Sequence, residues 1–368
     1  MKQHPTVLCC ILLAGTVAAP LCASAADLRT ENVVYVMLDG FRHQELFSGA
    51  EEPLIQGEGG NLELARMRFW RATPEARREA LMPFFWKVVA KEGQVFGDQD
   101  HGSIAQVANP HKFSYPGYSE TLCGVADPGV DSNKKIHNKN LNVLEWLHGQ
   151  KPYAGRVAAF GAWDLFPYIL NQPRSGMVVN AGYTPFTEGK VTPTIATINR
   201  LKDEMTRYWK GEPFDALPYE TAMEYLKTRK PRVLFLSLGE TDEWAHDNRY
   251  DLYLESARLA DGYIETLWNT LQSMSKYRGK TTLMLSTDHG RGLGPDGWQG
   301  HGRDLPNSEN VWMAFMGPDT PALGVRADTG RVTAGQMAAT LAAFLGKDYL
   351  SAVPEAAPPV AGVIAGKN

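Results

Sequence analysis

Runs of consecutive hydrophobic residues alternate along the chain with amphipathic segments. The hydrophobic runs are short, rich in β-branched residues and bounded by turn residues, which is typical of strands buried on both faces. Such strands are predicted at residues 32–38, 156–160, 232–238, 281–287 and 311–316. Hydrophobic residues at helical spacing predict intervening helices at residues 75–92, 142–148, 219–228 and 250–274. Strands that alternate with helices indicate an α/β fold with a mostly parallel central sheet sandwiched by helices.

The predicted elements form one large folded domain over residues 26–353. Residues 163–217 are rich in Asn, Pro, Gly and Thr, and we interpret them as a small cap or insertion and not as a second core. Residues 354–368 are rich in Ala, Pro and Gly and are predicted to be a disordered tail.

The N-terminal segment has the features of a secretory signal peptide. Lys2 precedes a short hydrophobic run at residues 6–19, and Ala23-Ser24-Ala25 is a small-x-small cleavage signal. The run is shorter than a typical membrane-spanning helix. We therefore expect residues 1–25 to be removed, which leaves a periplasmic or secreted protein without a membrane span. An uncleaved N-terminal anchor is the alternative.

The composition excludes two classes of protein. The chain has 37 Lys and Arg against 41 Asp and Glu, a formal charge of −4, whereas nucleic-acid scaffolds concentrate positive charge. With 43% hydrophobic and 21% charged residues, the 368-residue chain is not disordered as a whole. Three of the four cysteines belong to the leader, so the mature chain keeps Cys123 alone and has no intramolecular disulfide.

Ionisable side chains follow three of the predicted strands. The carboxyl ends of parallel strands meet at one edge of a sheet, where ligand sites form. The residues are Asp39 after the first strand, Asp242 and His246 after the third, Asp288 and His289 after the fourth, and His301 in a later glycine-flanked loop. A spacing of four residues puts Asp242 and His246 on one face of a helical turn. Carboxylates and imidazoles together favour zinc or a similar first-row ion.

Each of these residues also has an ordinary structural explanation. An Asp at the end of a strand is more often a cap or turn residue, and an isolated Asp-x-x-x-His is most often the solvated face of a helix. Three aspartates and three histidines at the ends or downstream loops of three separate strands are not expected by coincidence. The combination therefore favours a metal site.

The segment that begins at Ser114 supplies a candidate nucleophile. Ser114-Tyr115-Pro116 is followed by Gly124, ten residues after the serine. With this segment, the order Asp, Ser, Asp-x-x-x-His, Asp-His-Gly, His resembles the alkaline phosphatase superfamily, and within it the nucleotide pyrophosphatase/phosphodiesterase-like branch. The resemblance extends from Asp39 to His301, nearly the whole mature chain.

The resemblance implies an alkaline phosphatase-like fold and two divalent metal ions, which we expect to be zinc. One ion would be held by Asp39, Ser114, Asp288 and His289, and the other by Asp242, His246 and His301. Coordination to a divalent ion favours the alkoxide of a serine, so Ser114 would attack phosphorus and form a phosphoseryl intermediate. The expected activity is hydrolysis of a small-molecule phosphoric ester, by a phosphodiesterase or pyrophosphatase or by a phosphomonoesterase.

Three further residues are candidates for contacts with the substrate. Asn133 and Asn138 lie in an Asn-rich loop, in the region where the resembled branch has a phosphate-binding Asn. For either residue alone, an ordinary loop role is at least as good an explanation. Arg174 follows a predicted strand and could meet a substrate anion, although a surface arginine is the more common case.

Two other functions stay open from the sequence. One is a sulfatase-like or phosphonate ester hydrolase of the same superfamily. A formylglycine sulfatase is disfavoured, because its Cys/Ser-x-Pro-x-Arg motif requires an arginine where Tyr118 stands. The other is a non-catalytic, metal-stabilised binding protein, and the presence of Ser114 together with all six Asp and His residues argues against it.

Overall fold

The computed structural model describes Met1 and residues 28–57 and 59–366. Apart from Met1, the predicted signal peptide therefore lies outside the described residues. The chain builds an eight-stranded sheet with helices on both faces, and a separate pair of short strands. Across the described residues, no helix has both the length and the hydrophobicity that crossing a membrane would require.

The elements are numbered in chain order. The strands are β1 (Asn32–Leu38), β2 (Gln94–Phe96), β3 (Ser103–Gln106), β4 (Val157–Gly161), β5 (Val178–Ala181), β6 (Val233–Leu238), β7 (Thr281–Ser286), β8 (Met313–Met316), β9 (Gly324–Val325) and β10 (Gly330–Thr333). The helices are α1 (His43–Ser48), α2 (Glu52–Ile55), α3 (Leu62–Phe69), α4 (Pro74–Leu81), α5 (Ala90–Glu92), α6 (Ser114–Cys123), α7 (Val143–His148), α8 (Phe166–Ile169), α9 (Gln172–Ser175), α10 (Pro193–Glu204), α11 (Ala216–Arg229), α12 (Glu240–His246), α13 (Tyr250–Ser273), α14 (Gly294–Gly297) and α15 (Gln336–Phe344).

The main sheet has the order β5-β4-β6-β1-β7-β8-β2-β9, and β10 pairs with β3. Neighbouring strands from β5 to β7 are parallel, whereas β8 is antiparallel to β7 and to β2. Val36 of β1 is paired with Leu236 of β6 and with Leu285 of β7, so β1 lies inside the parallel region. The predicted α/β fold with a mostly parallel sheet sandwiched by helices is confirmed.

Residues of β1 alternate between two hydrophobic cores. Val34 and Val36 belong to the core that includes residues of α11 and α13. Tyr35 and Met37 belong to the core on the other face, which includes residues of α6, α7 and α15. Because both faces are covered, every residue of β1 is buried, and its sequence lacks the polar alternation of a half-exposed strand.

The predicted helix at residues 75–92 is interrupted. Helix α4 ends at Leu81, and a π-helical turn at Phe85–Val89 leads into α5. Pro83 explains the break, because it lacks an N–H group and its ring clashes with the preceding turn of a continuous helix. The N–H groups of Phe84 and Phe85 donate instead to the carboxylate of Asp261, at 2.8 Å each.

Residues 163–217 are part of the main fold, which corrects their interpretation as a cap. Strand β5 is the edge of the central sheet, paired with β4. Helix α10 buries Ile195 and Ile198 in the same core as α11 and α13. Several of the Asn and Pro residues that suggested an insertion lie inside these elements, such as Asn180 in β5 and Asn199 in α10, and composition does not reveal how the elements pack.

Residues 354–366 pack against the core next to α15, which corrects the prediction of a disordered tail for this part of the chain. Val360, Val363 and Ile364 are buried, and the Val360 N–H donates to Thr340 Oγ1 at 2.8 Å. A few small hydrophobic side chains are enough to cover α15, although their composition resembles that of a linker.

A buried carboxylate fixes the helix that begins with Ser114. Glu120 of α6 accepts hydrogen bonds from the N–H groups of Ala108 and Asn109, at 2.8 Å each, and from Gly335 at 3.2 Å. Burial raises the pKa of Glu120. Since these donors belong to the loop before α6 and to the start of α15, the position of Ser114 is set by contacts between distant parts of the chain.

Candidate metal centre

Three segments converge at the carboxyl ends of β6, β1 and β7. Asp39 follows β1, Asp242 lies in α12 directly after β6, and Asp288 follows β7. Gly40 permits the close approach, because its φ is 57° and a Cβ at this position would lie 2.5 Å from Asp242 Oδ1. A larger residue would be strained and would push the segments apart.

Asp39, Asp288 and His289 form the inner group, and all three are buried. His289 Nε2 lies 3.3 Å from Asp39 Oδ1 and 3.4 Å from Asp288 Oδ2. One candidate ligand atom of each residue lies within 4.8 Å of the other two. A single cation between them could contact all three.

Ser114 lies beside the inner group as the first residue of α6. Its Oγ is 3.2 Å from His289 Nε2, and the side chain is buried. The other ring nitrogen, Nδ1, lies 3.0 Å from the Gly290 carbonyl oxygen. A carbonyl only accepts, so we assign the proton to Nδ1. A cation that displaced the proton from Nε2 would find the Nε2 lone pair directed toward Ser114 and the two carboxylates, as in a metal ligand.

Asp39 is held by hydroxyl groups on both sides. Tyr118 OH donates to Asp39 Oδ2 at 2.9 Å and also contacts Ser237 Oγ at 2.6 Å. Thr241 Oγ1 donates to the Asp39 carbonyl at 2.5 Å. The role of Tyr118 was not predicted, although its spacing of four residues from Ser114 puts both on one face of α6 and could have indicated it.

Asp242, His246 and His301 form the outer group, which is more exposed than the inner group. His246 Nε2 lies 3.1 Å from Asp242 Oδ2 and 3.0 Å from His301 Nε2. The Asp242 and His246 side chains share a face of α12, as their spacing predicted. The His301 ring stacks on the ring of His289 with centroids 3.9 Å apart, so the two groups are adjacent.

Arg291 is a candidate functional residue that the sequence analysis missed. The side chain is fully buried and donates to Asp242 Oδ1 and to the Trp298 carbonyl, the latter at 2.8 Å. Its Nη2 lies 3.4 Å from His246 Nδ1. One guanidinium therefore links α12 to the loop that leads to His301. A glycine on either side in the sequence gives no indication that this arginine is buried.

A second buried arginine anchors the same loop from the other side. Arg42 Nη1 donates to the Gly292 carbonyl at 3.1 Å, and its Nε donates to Glu45 at 2.9 Å. The hydroxyls of Tyr250 and Tyr253 in α13 donate to the same carboxylate, at 2.9 and 3.2 Å. This network holds the loops after β1 and β7 as one unit against α13.

The start of α12 is fixed by two carboxylates. Asp215 accepts from the N–H groups of Gly239 and Glu240, at 2.7 and 3.2 Å, and Glu240 accepts from the Asp215 N–H at 2.8 Å. Glu212 lies directly over Gly239, where a Cβ would overlap its carboxylate. The reciprocal bonds join the N-termini of α11 and α12 and set the direction in which Asp242 points.

The three aspartates do not have equal amounts of positive charge beside them. Burial raises the pKa of Asp39, and it raises that of Asp288 well above its usual value. Burial also opposes ionisation of Asp242, but Arg291 and the nearby imidazoles hold its pKa well below the usual range. Burial opposes the charged form of His289 as well, yet Asp288 and the other aspartates raise its pKa to about 9. His289 supplies one positive charge to the buried pair of Asp39 and Asp288, and ionisation of both carboxyl groups would require a second.

The inner group fits a divalent cation on its own contacts. Asp39 Oδ1 and Asp288 Oδ2 are buried, and both face His289 Nε2, at 3.3 and 3.4 Å, without a hydrogen bond to any other group of the described residues. Buried polar atoms are normally paired, and carboxylate oxygens that face an imidazole nitrogen are ligands of first-row divalent ions. The structure thus brings together the same two sets of Asp and His residues that the resemblance implied.

Asn133 lies at the N-terminus of the helix that begins with Ser114. Its side chain is exposed, and Oδ1 accepts from the Tyr115 N–H at 3.1 Å. The amide nitrogen of Asn133 has no acceptor among the described residues. It is therefore available as a donor beside the candidate nucleophile.

Asn138 and Arg174 are engaged in internal contacts, which corrects their selection as substrate contacts. Asn138 is buried and its Nδ2 donates to Ser119 Oγ at 2.9 Å. The guanidinium of Arg174 donates to Glu145 at 2.6 Å and to the carbonyls of Lys139 and Asn140. Neither side chain contacts the inner or the outer group, and the sequence alone could not reveal these long-range partners.

Several solved structures share this fold. A phosphonate monoester hydrolase from Silicibacter pomeroyi is 12% identical over 92% of this chain and 77% of that chain, with a TM-score of 0.56. The lipoteichoic acid synthase LtaP from Listeria monocytogenes is 11% identical over 86% and 72%, with a TM-score of 0.55. A 2-O GAG sulfatase is 12% identical over 92% and 75%, with a TM-score of 0.55.

No family model and no curated protein matches the sequence. At identities of 11–12%, the similarity to these three structures establishes the fold and not the activity. The chain therefore has the alkaline phosphatase-like α/β fold that the sequence predicted.

Replacing Arg291 tests whether it holds the outer group together. R291M leaves the Asp242 carboxylate and buried loop carbonyls without their donor. We therefore expect the free energy of unfolding, measured on metal-free protein, to fall by about 2–4 kcal/mol. R291K keeps the charge but not the planar fork and should recover part of the loss. Urea denaturation followed by circular dichroism measures the change. R331M removes an exposed arginine from β10 and should change the same quantity by less than about 0.5 kcal/mol; equal losses in R291M and R331M would refute the role.

Proposed function

We propose that this protein is a metal-dependent hydrolase of the alkaline phosphatase superfamily and that it acts on phosphoric esters through Ser114. The observation that carries the proposal is the position of Ser114 Oγ, 3.2 Å from His289 Nε2 at the N-terminus of α6 and beside the inner group. The fold, shared with solved hydrolases, supports the superfamily. The Ser114-Tyr115-Pro116 motif supports the nucleotide pyrophosphatase/phosphodiesterase-like branch.

The inner group with Ser114 would hold one divalent ion and the outer group a second, and we propose zinc in both. Bound ions would lower the pKa of a coordinated hydroxyl and neutralise the charge of phosphoryl oxygens. The ligand types support zinc, because carboxylate oxygens and imidazole nitrogens are among its usual ligands. A set of metal ligands without thiolates also suits an exported protein, since exposed thiols are prone to oxidation.

The chain itself supplies the nucleophile and its orientation. Ser114 is the first residue of α6, and the N-terminus of a helix favours negative charge on the serine oxygen and on the phosphoryl group. Attack forms a bond between Ser114 Oγ and phosphorus and breaks the bond to the ester oxygen, which leaves as an alcohol after it gains a proton. Water then cleaves the phosphoseryl ester and restores the hydroxyl. The amide nitrogen of Asn133 would donate to a phosphoryl oxygen.

Hydrolysis of a sulfate or phosphonate ester is the second candidate, because solved structures with this fold include a 2-O GAG sulfatase and a phosphonate monoester hydrolase. The formylglycine mechanism is disfavoured at Tyr118, which stands where the sulfatase motif has arginine. A tyrosine side chain carries no positive charge, so Tyr118 cannot replace the arginine of that motif. Its hydroxyl is instead buried and bound to Asp39. A purely binding role would not require a serine hydroxyl beside the inner group.

Hydrolysis assays with S114A test the nucleophile. The zinc-loaded wild type should cleave p-nitrophenyl phosphate, its bis ester or both, and S114A should lose at least about a thousandfold in kcat/KM, because the oxygen that forms the intermediate is absent. Acid-quenched wild type should carry a phosphoryl group on the peptide that contains Ser114. S273A, an exposed serine of α13, is the control. Full activity of S114A would remove Ser114 from the mechanism, and cleavage of p-nitrocatechol sulfate alone would favour the sulfatase candidate.

Variants of one ligand from each group test the metal assignment. D288N removes a carboxylate from the inner group and H246A an imidazole from the outer group, so each should retain one of the two ions per chain after dialysis. Inductively coupled plasma mass spectrometry measures the metal content. H101A, an exposed histidine outside both groups, should retain the full complement. A full complement in D288N and H246A would contradict the proposed ligands.

We also propose that the protein is exported to the periplasm or secreted, on the strength of the hydrophobic run and the Ala23-Ser24-Ala25 signal. Expression of the whole chain in a bacterial host should yield a mature protein that begins at Ala26, as measured by N-terminal sequencing. A25R should block cleavage and leave the leader attached. A wild-type protein that keeps residues 1–25 would contradict cleavage at this position.

A further inference from the structure

A cavity of about 270 Å³ lies at the carboxyl ends of β4 and β5, outside the inner and outer groups. Its walls come from the loops that follow these strands and from the loop before α11. The lining residues are Asp164, Tyr183, Thr184, Arg207, Lys210 and Gly211. None of these residues has a role in the proposed chemistry.

The cavity is formed by tightly fitted loops. The Asp164 N–H donates to the Gly211 carbonyl at 3.1 Å. A Cβ on Gly182, whose φ is 58°, would lie 2.7 Å from the Asp164 Cβ, and one on Gly211 would lie 2.9 Å from the Asp164 Cγ. Asp164 thus sits between two glycines, and any side chain at either position would displace a wall of the cavity.

Positive charge dominates the cavity. The only acidic side chain in its lining, Asp164, forms an ion pair with Lys135 at 2.7 Å. The guanidinium of Arg207 lies 4.5 Å from the centre of the Tyr183 ring. No carboxylate of the described residues lies within ion-pair distance of Arg207 or Lys210. Two cations without acidic partners therefore face a space large enough for an oxyanion such as phosphate or sulfate.

The cavity and the candidate metal centre share one edge of the sheet. Gly211 lines the cavity, and the next residue, Glu212, lies over Gly239, three residues before Asp242. Strand β4 is the neighbour of β6, and β5 is one strand farther from it. Neighbouring strands are about 5 Å apart, and three strand spacings separate the middle of β5 and β4 from the middle of β1 and β7, where the inner group lies. The cavity is therefore about 15 Å from the inner group along the sheet edge.

We propose that this cavity binds a second oxyanion of the substrate, a phosphate or sulfate group about 15 Å from the group that reacts at Ser114. The inference rests on the proposed function only for the identity of the group that reacts at Ser114. It narrows the substrate class to esters with two anionic groups on one extended molecule. Arg207 and Lys210 determine this specificity by pairing with the second group, and they take no part in bond cleavage.

Equilibrium binding of paired ligands tests the inference without turnover. The protein is zinc-loaded S114A, and the ligands are the bisphosphates of hexanediol, octanediol, decanediol and dodecanediol, each compared with the monophosphate of the same diol by isothermal titration calorimetry. At the spacer that spans the two positions, the bisphosphate should bind at least about tenfold tighter than the monophosphate, as expected for a double ion pair. The diol of that length with one phosphate and one sulfate tells whether the cavity accepts sulfate as well.

The double variant R207M/K210M, made in the same S114A background, should abolish the advantage of the bisphosphate and leave monophosphate binding unchanged. The control K227M/R331M removes one exposed lysine and one exposed arginine elsewhere and should keep the advantage. Thermal melting verifies that both variants fold, and since Arg207 and Lys210 are exposed, neither substitution should disrupt the core.

The outcomes separate the inference from the proposed function. Equal affinity for mono- and bisphosphates at every spacer, or an advantage that survives in R207M/K210M, overturns the second site even if the wild type is an active phosphoric ester hydrolase. If monophosphates do not bind and the wild type cleaves no ester, the proposed function fails. Bisphosphate binding that depends on Arg207 and Lys210 would then still establish the oxyanion site.

Discussion

Buried negative charge at the carboxyl ends of β6, β1 and β7 is the constraint on which the rest of this site depends. Asp39, Asp242 and Asp288 all approach the ring of His289, in surroundings from which water is largely excluded. Ionised carboxylates in such an environment repel one another and lose solvation unless positive charge lies beside them. Arg291 compensates one aspartate, and the unpaired oxygens of the other two favour cations as the remaining counter-charge.

The protein holds these charges in place through contacts outside the two groups. Arg42 and Glu45 connect the loops after β1 and β7 to α13, and Tyr118 connects Asp39 to the helix that begins with Ser114. Each of these partners is buried and has several hydrogen bonds. Supporting hydrogen bonds of this kind fix the orientation of metal-binding side chains, and their loss typically weakens metal binding by a large factor. The site is therefore pre-organised by the fold and does not depend on the exposed side chain of His246 alone.

The same edge of the sheet changes its charge along its length. The ends of β6, β1 and β7 carry clustered carboxylates, whereas the loops after β4 and β5 surround Arg207 and Lys210. An anion is repelled by the carboxylates when no metal ion is bound to them, and it is attracted by the two exposed cations. The sheet edge therefore favours one orientation of a charged ligand over the other. Cations bound to the carboxylates would make both ends attractive. This separation of negative from positive charge depends on the positions of the acidic and basic residues in the loops. It is independent of the overall charge of −4.

Most of the fold and the core of the candidate site could be predicted from the sequence. Uninterrupted hydrophobic runs predicted β1, β4, β6 and β7, whereas the parallel edge strand β5 was missed. The residues that follow parallel strands meet at one sheet edge, which brought Asp39, Asp242 and Asp288 together. The predictions of a disordered tail and of a cap at residues 163–217 were wrong, because they were drawn from composition alone. The prediction of one continuous helix at residues 75–92 was wrong because Pro83 breaks it. Only the tertiary structure revealed that Arg291 is buried, because its partners are distant in sequence. Local periodicity determines which elements form and where they end, whereas the partner of a charged side chain depends on the complete packing of the chain.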